Sequence, residues 1–120
     1  MPRTAKKKEL LPEEKILEII QKTLDDGKAD NIIVVDLRGK TSIANEMVVA
    51  SGTSQRHVLA LAEQVQMALK KEGFRSVIEG EEKGDWVLID AYDVIVHIFK
   101  PEVREYYSIE KMWNNPKINR

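Results

Sequence analysis

The chain has 120 residues, no cysteine, 19 basic and 20 acidic side chains, and a formal net charge of −1. This length suits one domain, and 42% hydrophobic residues suffice for an ordinary core, which excludes wholesale disorder. The absence of cysteine excludes a disulfide scaffold, a thiolate zinc site and a thiol nucleophile. The absence of cysteine, together with a start that does not resemble a secretory signal, predicts a cytoplasmic protein. The near-neutral charge argues against a dedicated nucleic-acid binder, and no apolar run approaches the roughly 20 residues that span a bilayer.

The first patterned segments are a basic tail, a helix and two strands. Residues 1–11 are rich in lysine and arginine and are predicted to be a flexible tail; contact with RNA phosphates is the alternative to a solvated terminus. Pro12-Glu13-Glu14 is typical of a helix start, and Gly27 ends that helix. The run at residues 31–37 is apolar on both faces and predicts a central strand covered on both sides. A second strand follows at residues 46–51.

The longest helix is predicted over residues 55–71, with Thr53 or Ser54 as its cap. Three strands follow, and the last two form a hairpin. Their predicted bounds are residues 76–80, 86–90 and 93–99. A last helical stretch opens at Pro101 and carries apolar residues as far as Trp113, and residues after 114 are expected to fray. This order predicts a single α/β domain with a mixed sheet of about five strands and helices packed on it.

One strand-to-helix junction suggests an enzyme as an alternative. Gly52-Thr53-Ser54 provides free backbone amides at a helix start and resembles the glycine-serine element of nucleotidyltransferases. Those enzymes also hold magnesium with two carboxylates about one residue apart on a strand. Asp90 and Asp93 miss that spacing, so a tight turn with a capping residue is the favoured interpretation. A metal-dependent nucleotidyltransferase-like enzyme that uses this turn stays as the alternative function.

Neither histidine belongs to a catalytic or metal-binding pattern. His57, near a helix start, is expected to face solvent. His97 shares a strand face with Ile95 and Phe99, where a partly buried histidine is the default and a recognition residue is the sharper hypothesis. We therefore predict no catalytic residue, no metal and no cofactor.

Aromatic residues are concentrated towards the carboxyl terminus. Both tryptophans, all three tyrosines and one of the two phenylalanines lie between residues 84 and 113. Trp86 shares a strand face with Leu88 and Asp90, which mixes a large ring with a carboxylate and is less typical of a dry core. Tryptophan, tyrosine and arginine are the residue types enriched at protein–protein hot spots. On composition alone, a binding surface and an aromatic core are equally good interpretations.

An ordered series of motifs resembles the ribosomal silencing factor family, also called Iojap-like, from about residue 14 to residue 114. The motifs are DLR at 36–38, VVASGTSQRHV at 48–58, EG at 79–80, GDWVLID at 84–90, DVIVHIF at 93–99, REYY at 104–107 and IEKMW at 109–113. The resemblance identifies residues 12–114 as the silencing factor domain. It implies a nucleotidyltransferase-like fold without the catalytic carboxylates, and a translation regulator rather than an enzyme.

The resemblance implies that the partner is the large ribosomal subunit, which is bound chiefly through its protein of the L-fourteen family. Such binding blocks association with the small subunit and represses translation, and a role in large-subunit biogenesis is also implied. Homodimerisation through the same apolar surface is left open. The partner-binding residues carried onto this chain are Trp86, Asp90, Tyr92, His97, Phe99, Arg104 and Tyr107.

Within that set the expected energetic anchors are Trp86, Arg104 and Tyr107. Asp90 would pair with a basic residue of the ribosomal protein, and His97 would donate a hydrogen bond to it. For Phe99, a place in the core is an equally good interpretation.

Overall fold

The computed structural model describes residues 11–109 and residue 111. The elements are α1 (Pro12–Asp26), β1 (Asp30–Asp36), β2 (Glu46–Ser51), α2 (Gln55–Lys71), β3 (Val77–Glu79), β4 (Trp86–Ala91), β5 (Val94–Phe99) and α3 (Pro101–Tyr107). Their order is the predicted one. The predicted tail before Leu11, the apolar residue Trp113 and the predicted frayed end lie outside the described residues.

The strands form one mixed sheet in the order β1-β2-β5-β4-β3. β2 and β5 run parallel, and the other neighbouring pairs are antiparallel. The prediction that β1 is a central strand is wrong, because it lies at an edge of the sheet. Its residues are nevertheless apolar on both faces. Ile32 and Val34 pack against one core cluster, whereas Val35 belongs to a second cluster on the other face and Ile33 packs against it. Coverage of both faces, rather than a central position, explains the apolar run.

The larger core lies between the sheet and the helices α1 and α2. Both helices place apolar side chains three or four residues apart on the face that meets the sheet, as their periodicity requires. Val87 and Ile89 of β4 face these helices and are fully buried, as are Val96 and Ile98 of β5. Helical side chains of this cluster include Ile16, Ile20 and Leu24 of α1 and Val58, Leu61 and Val65 of α2.

The opposite sheet face is covered at one end by α3. Val103 of this helix packs against a smaller buried cluster that contains Met47, Val49 and Phe99. α3 ends at Tyr107, because Ser108 adopts a left-handed conformation (φ 47°, ψ 42°). Ile109 and Lys111 are again helical, so the predicted helical stretch is interrupted at Ser108. Because α3 covers only one end of this face, side chains of β3 and β4 that point to it stay partly exposed.

The junction between β2 and α2 is close-packed. The Ser54 side chain accepts a hydrogen bond from the backbone nitrogen of His57 at 3.1 Å, so Ser54 is the helix cap. A Cβ added to Gly52 would lie 2.8 Å from Val58 Cγ2 and 2.9 Å from the Val58 backbone nitrogen. Close approach of the helix therefore explains the glycine without any ligand.

His57 connects this junction to the end of α1. Its Nδ1 accepts a hydrogen bond from the Thr53 backbone nitrogen at 2.9 Å, which leaves Nε2 to donate to the Gly27 carbonyl oxygen at 2.8 Å. The expectation that His57 faces solvent is therefore wrong. The side chain is half-buried, because it satisfies backbone groups of two neighbouring segments.

Arg104 fastens α3 to the sheet. Its Nη1 donates to the Asn31 carbonyl oxygen at 2.8 Å and to Ser51 Oγ at 2.9 Å. The β1–β2 register shifts between Asp30 and Ile33, and Asn31 has a φ of 53°. Such a bulge re-aims the backbone, and here the bulged residue supplies the carbonyl that Arg104 binds. The side chain is only 5% exposed.

Replacement of Arg104 by Met is expected to lower the free energy of unfolding by about 1–3 kcal/mol, because Ser51 Oγ and the Asn31 carbonyl lose their donor while the apolar stem is kept. Urea denaturation followed by circular dichroism measures the change. Arg56→Met on the exposed side of α2 is the matched control, with an expected change within about 0.5 kcal/mol. Equal effects of the two substitutions would contradict a stabilising role for Arg104.

Candidate protein-binding surface

Rings from β4, β5 and α3 meet on the sheet face opposite α1 and α2. The Trp86 ring centroid lies 4.8 Å from that of Tyr107, 4.9 Å from that of Phe99 and 5.8 Å from that of His97. The antiparallel register explains the contacts, since Trp86 is paired with Phe99, and Leu88 with His97, so that Trp86 and His97 are diagonal neighbours. We call Trp86, His97, Phe99 and Tyr107 the aromatic cluster.

A hydrogen bond within the cluster joins its two nitrogen-containing rings. Trp86 Nε1 donates to His97 Nδ1 at 2.9 Å. Burial lowers the pKa of His97 from 6.5 to about 4, so that the ring is neutral near pH 7 and keeps the lone pair that accepts this hydrogen bond. His97 is thus a hydrogen-bonded, half-buried residue on the partly covered face.

The members of the cluster differ in exposure. Phe99 is fully buried and supports the other rings from below, so it offers no surface to a partner. Trp86 and His97 are half-buried, whereas Tyr107 is 49% exposed. Tyr106 was not among the predicted site residues, although it is 81% exposed and packs edge-on against Tyr107 at 4.9 Å. Its position beside Tyr107 in the REYY motif was the available signal.

A cleft of about 500 Å³ adjoins the exposed side of the cluster. Trp86, Tyr106 and Tyr107 form its aromatic wall. Three carboxylates and a lysine also line it, namely those of Glu82, Asp85, Glu102 and Lys83. Aromatic rings beside charged groups are typical of a protein-binding surface, in which an apolar centre has a polar rim.

Asp90 and Tyr92 lie at the other end of the same sheet. Asp90 is paired with Ile95 whereas Trp86 is paired with Phe99, a separation of about 13 Å along the strands. The Asp90 carboxylate accepts a hydrogen bond from the Tyr92 backbone nitrogen at 3.0 Å, and Tyr92 has a φ of 68° in the hairpin turn. Tyr92 is 70% exposed. Both residues are accessible, but they do not contact the cluster.

The predicted partner-binding residues thus occupy three places. Trp86, His97, Phe99 and Tyr107 are brought together, Asp90 and Tyr92 form a separate surface at the hairpin turn, and Arg104 lies beneath α3. Arg104 was expected to be an energetic anchor, but its burial and its hydrogen bonds to the sheet make it a support for α3. The contribution of each exposed residue to binding stays a prediction.

The geometry also bears on the nucleotidyltransferase alternative. Gly52 follows Ser51, which is paired with Phe99, whereas Asp90 is paired with Ile95 at the opposite end of the strands. The glycine turn and the carboxylates that would assist it therefore lie at opposite ends of the sheet. Within residues 11–109 and 111, no group of three or more histidine, aspartate or glutamate side chains could hold a metal ion. No helix in that part of the chain is long and apolar enough to cross a membrane.

The fold and the aromatic cluster define an α/β domain that presents aromatic side chains on one sheet face. The family model described as ribosomal silencing factor during starvation matches residues 11–119. Ribosomal silencing factor RsfS of Zymomonas mobilis is 46% identical over 101 residues, which cover 83% of this chain and 76% of that protein. The chain therefore belongs to the ribosomal silencing factor family.

Two further relatives extend the comparison. A crystal structure of a Chromobacterium violaceum protein has a TM-score of 0.83 and 44% identity, covering 86% of this chain and 87% of that chain. The mouse protein named mitochondrial assembly of ribosomal large subunit protein 1 is 30% identical over 101 residues, which are 81% of this chain and 44% of that protein. The fold is thus shared with a solved bacterial structure, and the sequence similarity extends to a segment of the mouse protein.

Acidification is expected to destabilise the protein through His97. Its pKa of about 4 in the folded state lies below the ordinary value of 6.5, so the unfolded chain binds a proton first as the pH falls. The contribution of His97 is therefore complete above about pH 6.5 and is lost towards pH 4, by up to about 3 kcal/mol.

Urea unfolding at about pH 7 and about pH 4.5 measures this effect. His97→Asn is the control, since it removes one titrating group and leaves His57 and the carboxylates in place. The wild type should lose more stability on acidification than the variant. An identical pH dependence of the two proteins would show that His97 does not titrate in this way.

Proposed function

We propose that the chain is a ribosomal silencing factor that binds the large ribosomal subunit through the ribosomal protein of the L-fourteen family. Bound there, it excludes the small subunit by occupying the docking face and so represses translation without catalysing a reaction. The observation that carries the proposal is the aromatic cluster, partly exposed on one sheet face in a chain of this family. Action on ribosomes would place the protein in the cytoplasm.

The cluster has the physical properties of an interface centre. Trp86 is half-buried and is held by rings on two sides, so ordering it on binding costs little conformational entropy. Tyr107 and Tyr106 enlarge the aromatic area at the rim of the cleft. Large, rigid rings surrounded by polar groups are the features that concentrate binding energy in protein interfaces.

Steric exclusion requires occupancy and no chemistry. An interface of standard size buries roughly 1,600 Å² in total, and its affinity depends on the quality of its central contacts rather than on area. A domain bound across the face used by the small subunit prevents joining for as long as it stays bound. The name of the mouse relative also supports a part in assembly of the large subunit.

Trp86→Ala is expected to weaken binding to purified large subunits by roughly 30- to 1,000-fold, because it removes the central ring of the cluster. Sucrose-gradient sedimentation with and without small subunits measures both co-migration and the amount of joined ribosomes. Leu11→Ala removes an exposed apolar side chain at the start of α1, which packs on the other sheet face, and should bind like the wild type.

The gradient distinguishes three results for the wild type and tests the variant beside it. Co-migration of the wild type with large subunits, together with fewer joined ribosomes, supports the proposal. Co-migration without loss of joined ribosomes supports an assembly role and contradicts exclusion. A folded wild-type protein that stays at the top of the gradient contradicts ribosome binding altogether, and undiminished binding by Trp86→Ala contradicts the aromatic cluster as the binding surface.

A further inference from the structure

The hydrogen bond between Trp86 and His97 fixes the position of the proton on the histidine ring. An indole nitrogen only donates, so the 2.9 Å contact requires a lone pair on His97 Nδ1. A neutral imidazole carries one proton, which must then be on Nε2. Burial holds the pKa of His97 at about 4, so the neutral form with the proton on Nε2 persists at physiological pH.

The orientation of the imidazole ring is constrained as well as its protonation. His97 lies nearly parallel to Phe99, with an interplanar angle of 13° and a centroid distance of 6.0 Å. Phe99 is fully buried and is paired in the sheet with Trp86, so the ring beside His97 is itself held in the core. The histidine is therefore held both at its Nδ1 edge and by a neighbouring ring.

The other edge of the ring has no partner within the described residues. Among residues 11–109 and 111, the side-chain hydrogen bonds of His97 comprise only the one from Trp86, and the side chain is half-buried on the face opposite α1 and α2. Nε2–H is thus a donor with a fixed direction beside the exposed rings. A lysine or arginine side chain offers no acceptor to it, and the carboxylates of the adjoining cleft disfavour a second carboxylate.

We propose that His97 is a positioning residue for Trp86 and that its Nε2–H donates a hydrogen bond to a carbonyl oxygen of the protein bound over the aromatic cluster. The second half of this inference rests on the proposed function, because it requires a protein partner at this surface. Two edges of one ring then act together: Nδ1 holds the indole in its binding orientation, and Nε2 selects a neutral acceptor. A partner with a lysine or arginine side chain facing Nε2 would leave both the Nε2–H group and the N–H groups of that side chain without an acceptor.

Two substitutions separate the two edges. The Oδ1 atom of asparagine can stand where Nδ1 accepts, but the side chain has no atom at the position of Nε2. Glutamine reaches the position of Nε2 with a donor and provides no acceptor at that of Nδ1. His97→Asn therefore keeps the acceptor for Trp86 and removes the donor to the partner, whereas His97→Gln does the reverse.

The first measurement uses the free protein and needs no ribosome. In a Trp113→Phe background, which leaves Trp86 as the sole indole, long-range proton–nitrogen NMR reports the tautomer of His97. We expect the neutral ring protonated at Nε2. We also expect slow exchange of the indole proton in the wild type and His97→Asn, and faster exchange in His97→Gln. A ring protonated at Nδ1, or equal indole exchange in both variants, would overturn the positioning role.

The second measurement is the affinity of each protein for purified large subunits. We expect His97→Asn to bind roughly 5- to 100-fold more weakly than the wild type, because the partner carbonyl loses its donor in a buried interface. Wild-type affinity for His97→Asn, with its indole still protected, would overturn the donor role. If the wild type itself does not bind large subunits, the proposed function fails and the donor role fails with it, whereas the NMR result for Trp86 is unaffected.

Discussion

The antiparallel register of β4 and β5 is the constraint on which the surface depends. It pairs Trp86 with Phe99 and Leu88 with His97, so it determines which rings meet. A slip by one residue would turn every side chain of one strand to the opposite face. Such a slip is opposed by Val87 and the other buried residues that face α1 and α2, since it would expose them. The core on one face therefore fixes the arrangement of the aromatic residues on the other.

The second determinant is the unequal coverage of the two sheet faces. α1 and α2 cover one face, and α3 covers only one end of the other. α3 is short, and its place depends on the hydrogen bonds of Arg104 to β1 and β2 as well as on the packing of Val103. Tyr107 reaches Trp86 because of this attachment. The buried side chain of Arg104 thus determines where the exposed Tyr107 ring lies.

Local patterns in the sequence predicted much of this architecture, and long-range contacts account for what they missed. Alternation along β4 correctly placed Trp86 and Leu88 on the face opposite Val87, because a strand alternates its side chains whatever its neighbours are. The position of β1 at the sheet edge could not be predicted, since apolar residues on both faces report coverage and not strand order. Similarly, His57 binds a carbonyl 30 residues away, which no local pattern encodes.

The predicted binding residues illustrate the same difference between local patterns and long-range contacts. Composition left a binding surface and an aromatic core equally good, and the motifs favoured the surface. The strand register brings Trp86 and His97 together on one sheet face. Arg104 was expected at the surface because of the resemblance and because arginine is enriched at protein–protein hot spots. It is buried instead, because a bulge in β1 and the end of β2 supply its hydrogen-bond acceptors. Tyr106 was overlooked because exposure within a short helix depends on where the helix is attached.

The hydrogen bond between Trp86 and His97 connects the stability of the fold to the properties of the surface. A large ring that is already oriented loses less freedom on binding, and related complexes differ in affinity mainly through their dissociation rates. Under the proposed function, in which the protein acts by excluding the small subunit, the lifetime of the complex sets the duration of the effect. If the aromatic cluster is the binding surface as proposed, an interaction that holds Trp86 in place before binding lengthens the proposed exclusion even though it adds no contact to the partner.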